Sequence, residues 1–197
     1  MPWILIGLVE SLLSMSVREN LNVLPYTAAL QKLSKTFSSG NDHLDRFLKE
    51  SVSLDDNFGK TYVWLSEKED FIVGYYNIGT GSIDEVLPDS ARYKIGGSIH
   101  INEFALDKAF HGMTQGYTES GDKINISDLL LDDCLQRIAD LRSQNVGFTF
   151  VTLCSTEEGF HLYARNGFEE LDDGMQFSLG YEEKKCIRMY SPMEIDY

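Results

Sequence analysis

The sequence predicts an α/β domain built on a mixed, mostly antiparallel sheet with a central parallel strand pair flanked by helices. Three observations predict it. The second half alternates strand, helix, strand and helix, the order of a βαβ unit with two parallel neighbours. A hairpin pattern precedes that unit, and two strand-like runs follow it.

Taken in chain order, "FSSGNDHLDRFLKES" (Phe37 to Ser51) has turn residues, then Leu44, Phe47 and Leu48 at helical spacing, which predicts a short helix with one buried face. "KTYVWL" (Lys60 to Leu65) and "FIVGYYNIG" (Phe71 to Gly79) are β-branched and aromatic. The charged turn "SEKED" separates them, as in an antiparallel hairpin. Asp84 to Tyr93, containing Pro88, reads as a loop or brief helical turn. Gly97 to Asp107 reads as a long strand, and the glycine-rich polar stretch from Lys108 to Asn125 as a loop. Leu130, Leu131, Cys134, Leu135, Ile138 and Leu141 then form one helical stripe, with Ser127 as the expected cap. "VGFTFVTLC" is an apolar run of strand length, suited to a strand covered on both faces. A short helix starts near Thr156. "MQFSLGY" and "KCIRMYSPM" read as a closing pair of strands.

Composition narrows the function classes. At 197 residues the chain is most simply one domain, and its 43% apolar residues are enough for a real core. Residues 16–197 are assigned to that domain. The apolar segment 1–15 is too short to span a bilayer, is interrupted by Glu10, and lacks the basic start of a signal peptide. It reads either as a helix docking on the domain, a partner or a second copy in a homodimer, or as an extension preceding a start at Met15. A membrane role is not expected. The net charge of -14 repels phosphate backbones, so nucleic acid is an unlikely partner on this ground, whereas a cationic amine would be attracted. Cys134, Cys154 and Cys186 are an odd count without CxxC spacing. They argue for a reducing, cytoplasmic setting and against a disulfide framework or zinc knuckle. The four histidines are scattered, and no metal is predicted.

In order, "INEFALDKAFHG", the helix with "LLLDDCLQRI", and "FVTLCSTEEGFHLYARNGF" resemble the Gcn5-related N-acetyltransferase (GNAT) family over about Gly97 to Leu171. "FSSGNDHLDRFLKES" and "FIVGYYNIG" also resemble the first half of its toxin-like branch. The most specific signal is a tyrosine, three residues, then Gly-Phe. The resemblance implies acetyl-CoA as cosubstrate and direct acetyl transfer to an amine. The amine must be neutral to attack, an oxyanion must be stabilised and a thiolate must leave.

The resemblance assigns proton donation to Tyr163, because a phenol at about pKa 10 and a thiol at about 8.5 exchange a proton readily. Asn166-Gly167 would supply the left-handed helix stop that returns Phe168 to the sheet. The alternative for Tyr163 is a half-buried aromatic whose hydroxyl meets water. By position, the backbone of Phe104, Ala105 and Leu106 would carry the pantetheine arm. His100 and Glu103 are the candidate general bases. On a regular strand they point to opposite faces, and a bulge of the kind the family carries would switch that parity. The phosphate loop departs from the family pattern. His111, Gly112, Met113, Thr114, Gln115 and Gly116 stand where Gln/Arg-x-x-Gly-x-Gly/Ala is expected, and "YTESGDKIN" intervenes before the helix. Either this segment is still the phosphate cradle, or "SGDKINIS" with Lys123 replaces it, or the glycines merely belong to a loop.

Three functions follow: an N-acetyltransferase acting on a small-molecule or protein amine, a toxin-like acetylation of aminoacyl-tRNA, and a non-catalytic module that binds CoA or a partner.

Overall fold

The computed structural model describes residues 21–88, 91–118, 120–121, 123–177 and 186–193. The readings made for residues 1–15 lie outside them. Among the described residues ten strands are seen: β1 (Val23–Pro25), β2 (Lys60–Leu65), β3 (Ile72–Val86), β4 (Arg92–Leu106), β5 (Thr114–Tyr117), β6 (Lys123–Asn125), β7 (Phe150–Ser155), β8 (Glu169–Glu170), β9 (Met175–Gln176) and β10 (Ile187–Pro192). The α-helices are α1 (Asp42–Lys49), α2 (Ile126–Gln144) and α3 (Phe160–Arg165). Eight strands form one sheet in the order β1-β2-β3-β4-β7-β10-β8, with β9 pairing β3. Among the described residues β4 and β7 run parallel and the other pairings in the sheet are antiparallel. This is the mixed sheet with a central parallel pair that the sequence predicts.

The sheet is covered on both faces, which explains the near-continuous burial of β3 from Ile72 to Ile78. On one face Tyr76, Ile78, Ile99 and Ile101 pack with Leu130, Leu131, Cys134 and Ile138 of α2. Each of these four α2 residues is fully buried. Burying a leucine or isoleucine this way contributes about 1.5–3 kcal/mol. The other face carries Val63, Leu65, Tyr75 and Ala105 under Phe37, Phe47 and Leu48. The helix stripe and the strand alternation thus meet as their periodicities require.

Several sequence expectations are corrected. Asp84 is not in a loop: β3 and β4 extend to Val86 and from Arg92, because Asp84, Glu85 and Val86 pair with Lys94, Tyr93 and Arg92, and β9 adds to β3 at Asp84 and Glu85. The polar stretch after β4 is not merely a loop, since a 3-10 turn (Lys108–Phe110) leads into the hairpin β5-β6. The α2 cap is Asn125 rather than Ser127. Asn125 and Asp128 form a capping box that satisfies two helix-start amides reciprocally. Among the described residues of the two closing runs, β9 joins β3 and β10 lies between β7 and β8, while residues 178–185 lie outside the described residues. Cys154 and Cys186 form a disulfide with Cα atoms 5.4 Å apart, against the expectation of no such framework. Strand register brings them together: β10 pairs Arg188 with Cys154 and Ile187 with Ser155, so Cys186 arrives at the end of β7. Cys134 is a free, buried cysteine.

Candidate active site

β4 and β7 part at the centre of the sheet. Their parallel pairing runs from Ser98–Phe150 to Ile101–Leu153 and stops. Each strand then keeps only its outer neighbour: β4 stays on β3 as far as Leu106, and β7 stays on β10 as far as Ser155. At the point of parting β4 carries a bulge, because Ile78 pairs with Ile101 whereas Asn77 pairs with Glu103, leaving Asn102 as the extra residue. The Asn102 side-chain amide donates to Asn77 Oδ1 (2.6 Å) and Phe58 O (2.8 Å), which pins the bulge. A cleft of about 1110 Å3 lies here, bordered by α1, the segment 56–60, β3, β4, β7 and α3.

The bulge decides where the two candidate bases point. Before it, Ile99 and Ile101 face α2; after it, Phe104 and Leu106 do. The opposite set is therefore Ser98, His100, Glu103 and Ala105, so the candidate bases share one face, and both line the cleft. They differ in surroundings. His100 is 9% exposed, its Nδ1 lies 2.9 Å from Thr152 Oγ1, and its ring stands 5.1 Å from that of Phe177. Burial pushes its pKa down to about 4, so the ring is neutral at pH 7. Glu103 has a side chain only 3% exposed, and its Oε1 lies 3.0 Å from Nε2 of His43, which is 38% exposed. His43 was not singled out from the sequence. It stands in the first turn of α1, where the Asn41 side chain accepts from the His43 and Leu44 amides.

Tyr163 sits in α3, which begins at Phe160 after a turn through Thr156–Gly159. It is 7% exposed and lines the same cleft. The ring packs edge-on against Phe104 and Phe168, with centroids 6.0 and 5.9 Å away. The helix stops as expected. Gly167 adopts φ 83°, its amide donates to Ala164 O, and the Phe168 amide donates to Tyr163 O, a Schellman motif. Burial, then neighbouring Cys134 and Glu103, raise the Tyr163 pKa, so it carries its proton at neutral pH. No hydrogen bond to its hydroxyl is seen among the described residues, and none of their buried side-chain polar atoms lacks a partner.

The backbone of β4 beside the gap has a defined polarity. Asp107 N–H donates to Val73 O, so alternation along the antiparallel ladder directs Ala105 toward β3, and Phe104 and Leu106 away from it. The backbone groups of Phe104 and Leu106 therefore face the gap, and those of Ala105 do not. An extended arm bearing amides fits that edge. Leu106 O already meets His111 Nε2 at 3.0 Å. The segment His111 to Gly116 lies outside the cleft lining and is less ready for phosphate. The amides of His111 and Met113 donate to Lys108 O and Phe110 O, while Thr114 and Gly116 pair in the β5-β6 hairpin. Gln115 is the bulged residue between them. The start of α2 is likewise engaged: Ile126 N–H donates to Met113 O, and the Asp128 carboxylate accepts from Asn125 N–H and pairs with Arg165 at 2.7 Å. An added Cβ at Gly112 or Gly116 meets nothing within 4 Å, so these glycines are not required by close packing.

Among the described residues no histidine, cysteine or carboxylate cluster could hold a metal, and no helix is long and apolar enough to cross a membrane. Neither a family model nor a curated protein matches the sequence. Solved structures do match the fold. The chain is similar to a mutant of KacT at 21% identity, covering 87% of this chain and 94% of that one, with a TM-score of 0.64. AtaT complexed with acetyl-methionyl-tRNAfMet is similar at 20% identity, with 81% and 94% covered and a TM-score of 0.60. AtaTR bound with acetyl-CoA is similar at 17% identity, with 88% and 94% covered and a TM-score of 0.57. A further similar structure is the AtaT-AtaR complex bound to DNA. The expectation that nucleic acid is an unlikely partner finds no support in these neighbours. The chain shares the fold of these structures, a GNAT-like mixed sheet, in agreement with the resemblance its motifs bear to that family.

Proposed function

We propose that this chain is an acetyl-CoA-dependent N-acetyltransferase whose acceptor is the α-amine of an aminoacyl-tRNA. One observation carries the reading. The parallel strands part beyond Ile101 and Leu153, with Tyr163 and Glu103 on the cleft between them, in a chain sharing the fold of toxins solved with acetyl-CoA and acetylated tRNA.

Bound acetyl-CoA supplies an activated acetyl thioester. The outward backbone groups of Phe104 and Leu106 would hold its pantetheine arm, and the Phe104 N–H would serve as the oxyanion donor. Glu103 accepts the proton of the acceptor ammonium, since a neutral amine is the nucleophile. Tyr163 donates to the departing thiolate. Burial raises the affinity of both phenolate and thiolate for a proton, so the exchange stays near balance inside the gap. His100 is neutral and hydrogen-bonded to Thr152, and acts as a polar wall rather than a base.

The charge of -14 is not spread evenly. Residues 31–60, of which the part from Asn41 onward borders the cleft, carry Lys32, Lys35, Arg46, Lys49 and Lys60 against five carboxylates, and all five cations are exposed. A nucleic acid can therefore approach this segment at lower electrostatic cost than the remaining surface. The overall charge favours the second reading, transfer to a small-molecule or protein amine.

The test supplies labelled acetyl-CoA with a pool of aminoacyl-tRNAs and, separately, with free amines and proteins. Label on charged tRNA that depends on Tyr163, tested with Tyr163→Phe, is expected. Label on free amines alone would replace the acceptor. Acetyl-CoA binding without transfer to anything would overturn the enzyme reading in favour of a binding module.

A further inference from the structure

We propose that His43 and Glu103 form a proton relay that drains the acceptor site. This rests on the acetyl-transfer reading above. The carboxylate of Glu103 stands on the cleft face of β4 with a side chain 3% exposed, so a proton it accepts has little direct contact with water. His43 Nε2 is 3.0 Å away, and this ring, 38% exposed, reaches solvent at the cleft mouth.

Each step balances. The ammonium N–H bond breaks and its electron pair stays on nitrogen, while an O–H bond forms on Glu103. That proton passes to Nε2 of His43, Nδ1 releases its own proton to water, and a flip of the ring then presents the unprotonated nitrogen to Glu103 again. Glu103 returns to the carboxylate, ready for the next acceptor. An imidazole suits the exit because it has two ring nitrogens, one to take a proton in and the other to release one.

Two features fix the pair's geometry. The bulge at Asn102 turns Glu103 onto the cleft face, and the Asn41 cap orients the first turn of α1 that carries His43. The other ionisable side chains on the cleft are Arg46 on α1, Glu50 just after it, Asp56 and Lys60 (paired at 2.7 Å), Tyr62 on β2, His100 on β4 and Tyr163 on α3. The negative charge of Glu103 also acts on Tyr163, so proton acceptor and proton donor sense one another across the gap.

The test uses His43→Gln, which keeps a hydrogen-bonding side chain but cannot carry a proton, and Glu103→Gln. Acetyl transfer to charged tRNA would be followed from pH 6 to 9, with acetyl-CoA binding and melting temperature as controls. His43→Gln should lower kcat by about 10–100-fold near pH 7, with binding retained, and recover at high pH where the amine is already neutral. Retention of kcat within about twofold across the range overturns the relay. If the wild type transfers no acetyl group, the functional reading fails first. The pair is then judged by NMR: Glu103→Gln should move the ring nitrogen signals of His43, and unchanged signals overturn the contact.

Discussion

Acidification should weaken this protein through His100, by an amount set by the burial of its ring. The ring is 9% exposed and packed against Phe177, and burial pushes its pKa down to about 4 from the usual 6.5. Between those values the unfolded chain binds a proton that the folded chain refuses. The contribution is therefore complete above about pH 6.5 and is lost as pH falls toward about 4. In full it is worth about 3 kcal/mol, of which about 2.5 kcal/mol disappears between pH ~7.5 and ~4.5. Carboxylates titrate in the same window, so the wild type alone cannot isolate the term. Urea unfolding of wild type and His100→Gln at both pH values does, because the carboxylates are common to the two proteins. The stability gap between them should narrow by about 2–3 kcal/mol on acidification. A gap that stays constant, or a His100 NMR midpoint above about pH 6, would refute the assignment of a buried neutral ring and return His100 to the candidate bases.

Three further outcomes are expected. Tyr163→Phe should reduce kcat about 10²–10⁴-fold while the thermal shift given by acetyl-CoA persists; equal loss of both would make the ring structural. Gly167→Ala should cost about 1 kcal/mol in chemical denaturation, because φ is 83° and an added Cβ meets nothing within 4 Å, so the penalty is one of backbone conformation. Asn102→Ala removes the donor to buried Asn77 and to Phe58 O and should cost about 1–3 kcal/mol. Its effect on kcat should exceed that of an equally destabilising core change such as Ile138→Val; equal effects would mean that the bulge does not organise the cleft.

Local signals in the sequence were legible where one stretch of chain carries its own instruction. Tyr163 through Phe168 is an example: Gly167 takes the left-handed conformation, and the Schellman bonds close within six residues. The stripe of α2 and the hairpin of β2 and β3 belong with it. The cap of α2 shows where competing local signals mislead. Ser127 and Asn125 both suit the position, and the Asp128 partner three residues on favours Asn125. His43 was missed because its partner lies 60 residues away, and nothing within "GNDHLDRF" distinguishes a solvated histidine from one that meets a carboxylate. The Cys154–Cys186 pairing, at a separation of 32, depended equally on the register of β10 on β7.

The amino-acid sequence by itself determined the mixed sheet, the β4-α2-β7 crossover and the tyrosine at the end of a short helix, because periodicity, turn chemistry and caps act over one or two turns of chain. Tertiary structure alone decided that Asn102 bulges out of β4, that Glu103 and His100 consequently share a face, and that one meets a half-exposed histidine while the other is sealed against Phe177. The physical reason is that strand parity, burial and proton affinity depend on neighbours brought from distant positions, and such neighbours exist only once the sheet has closed.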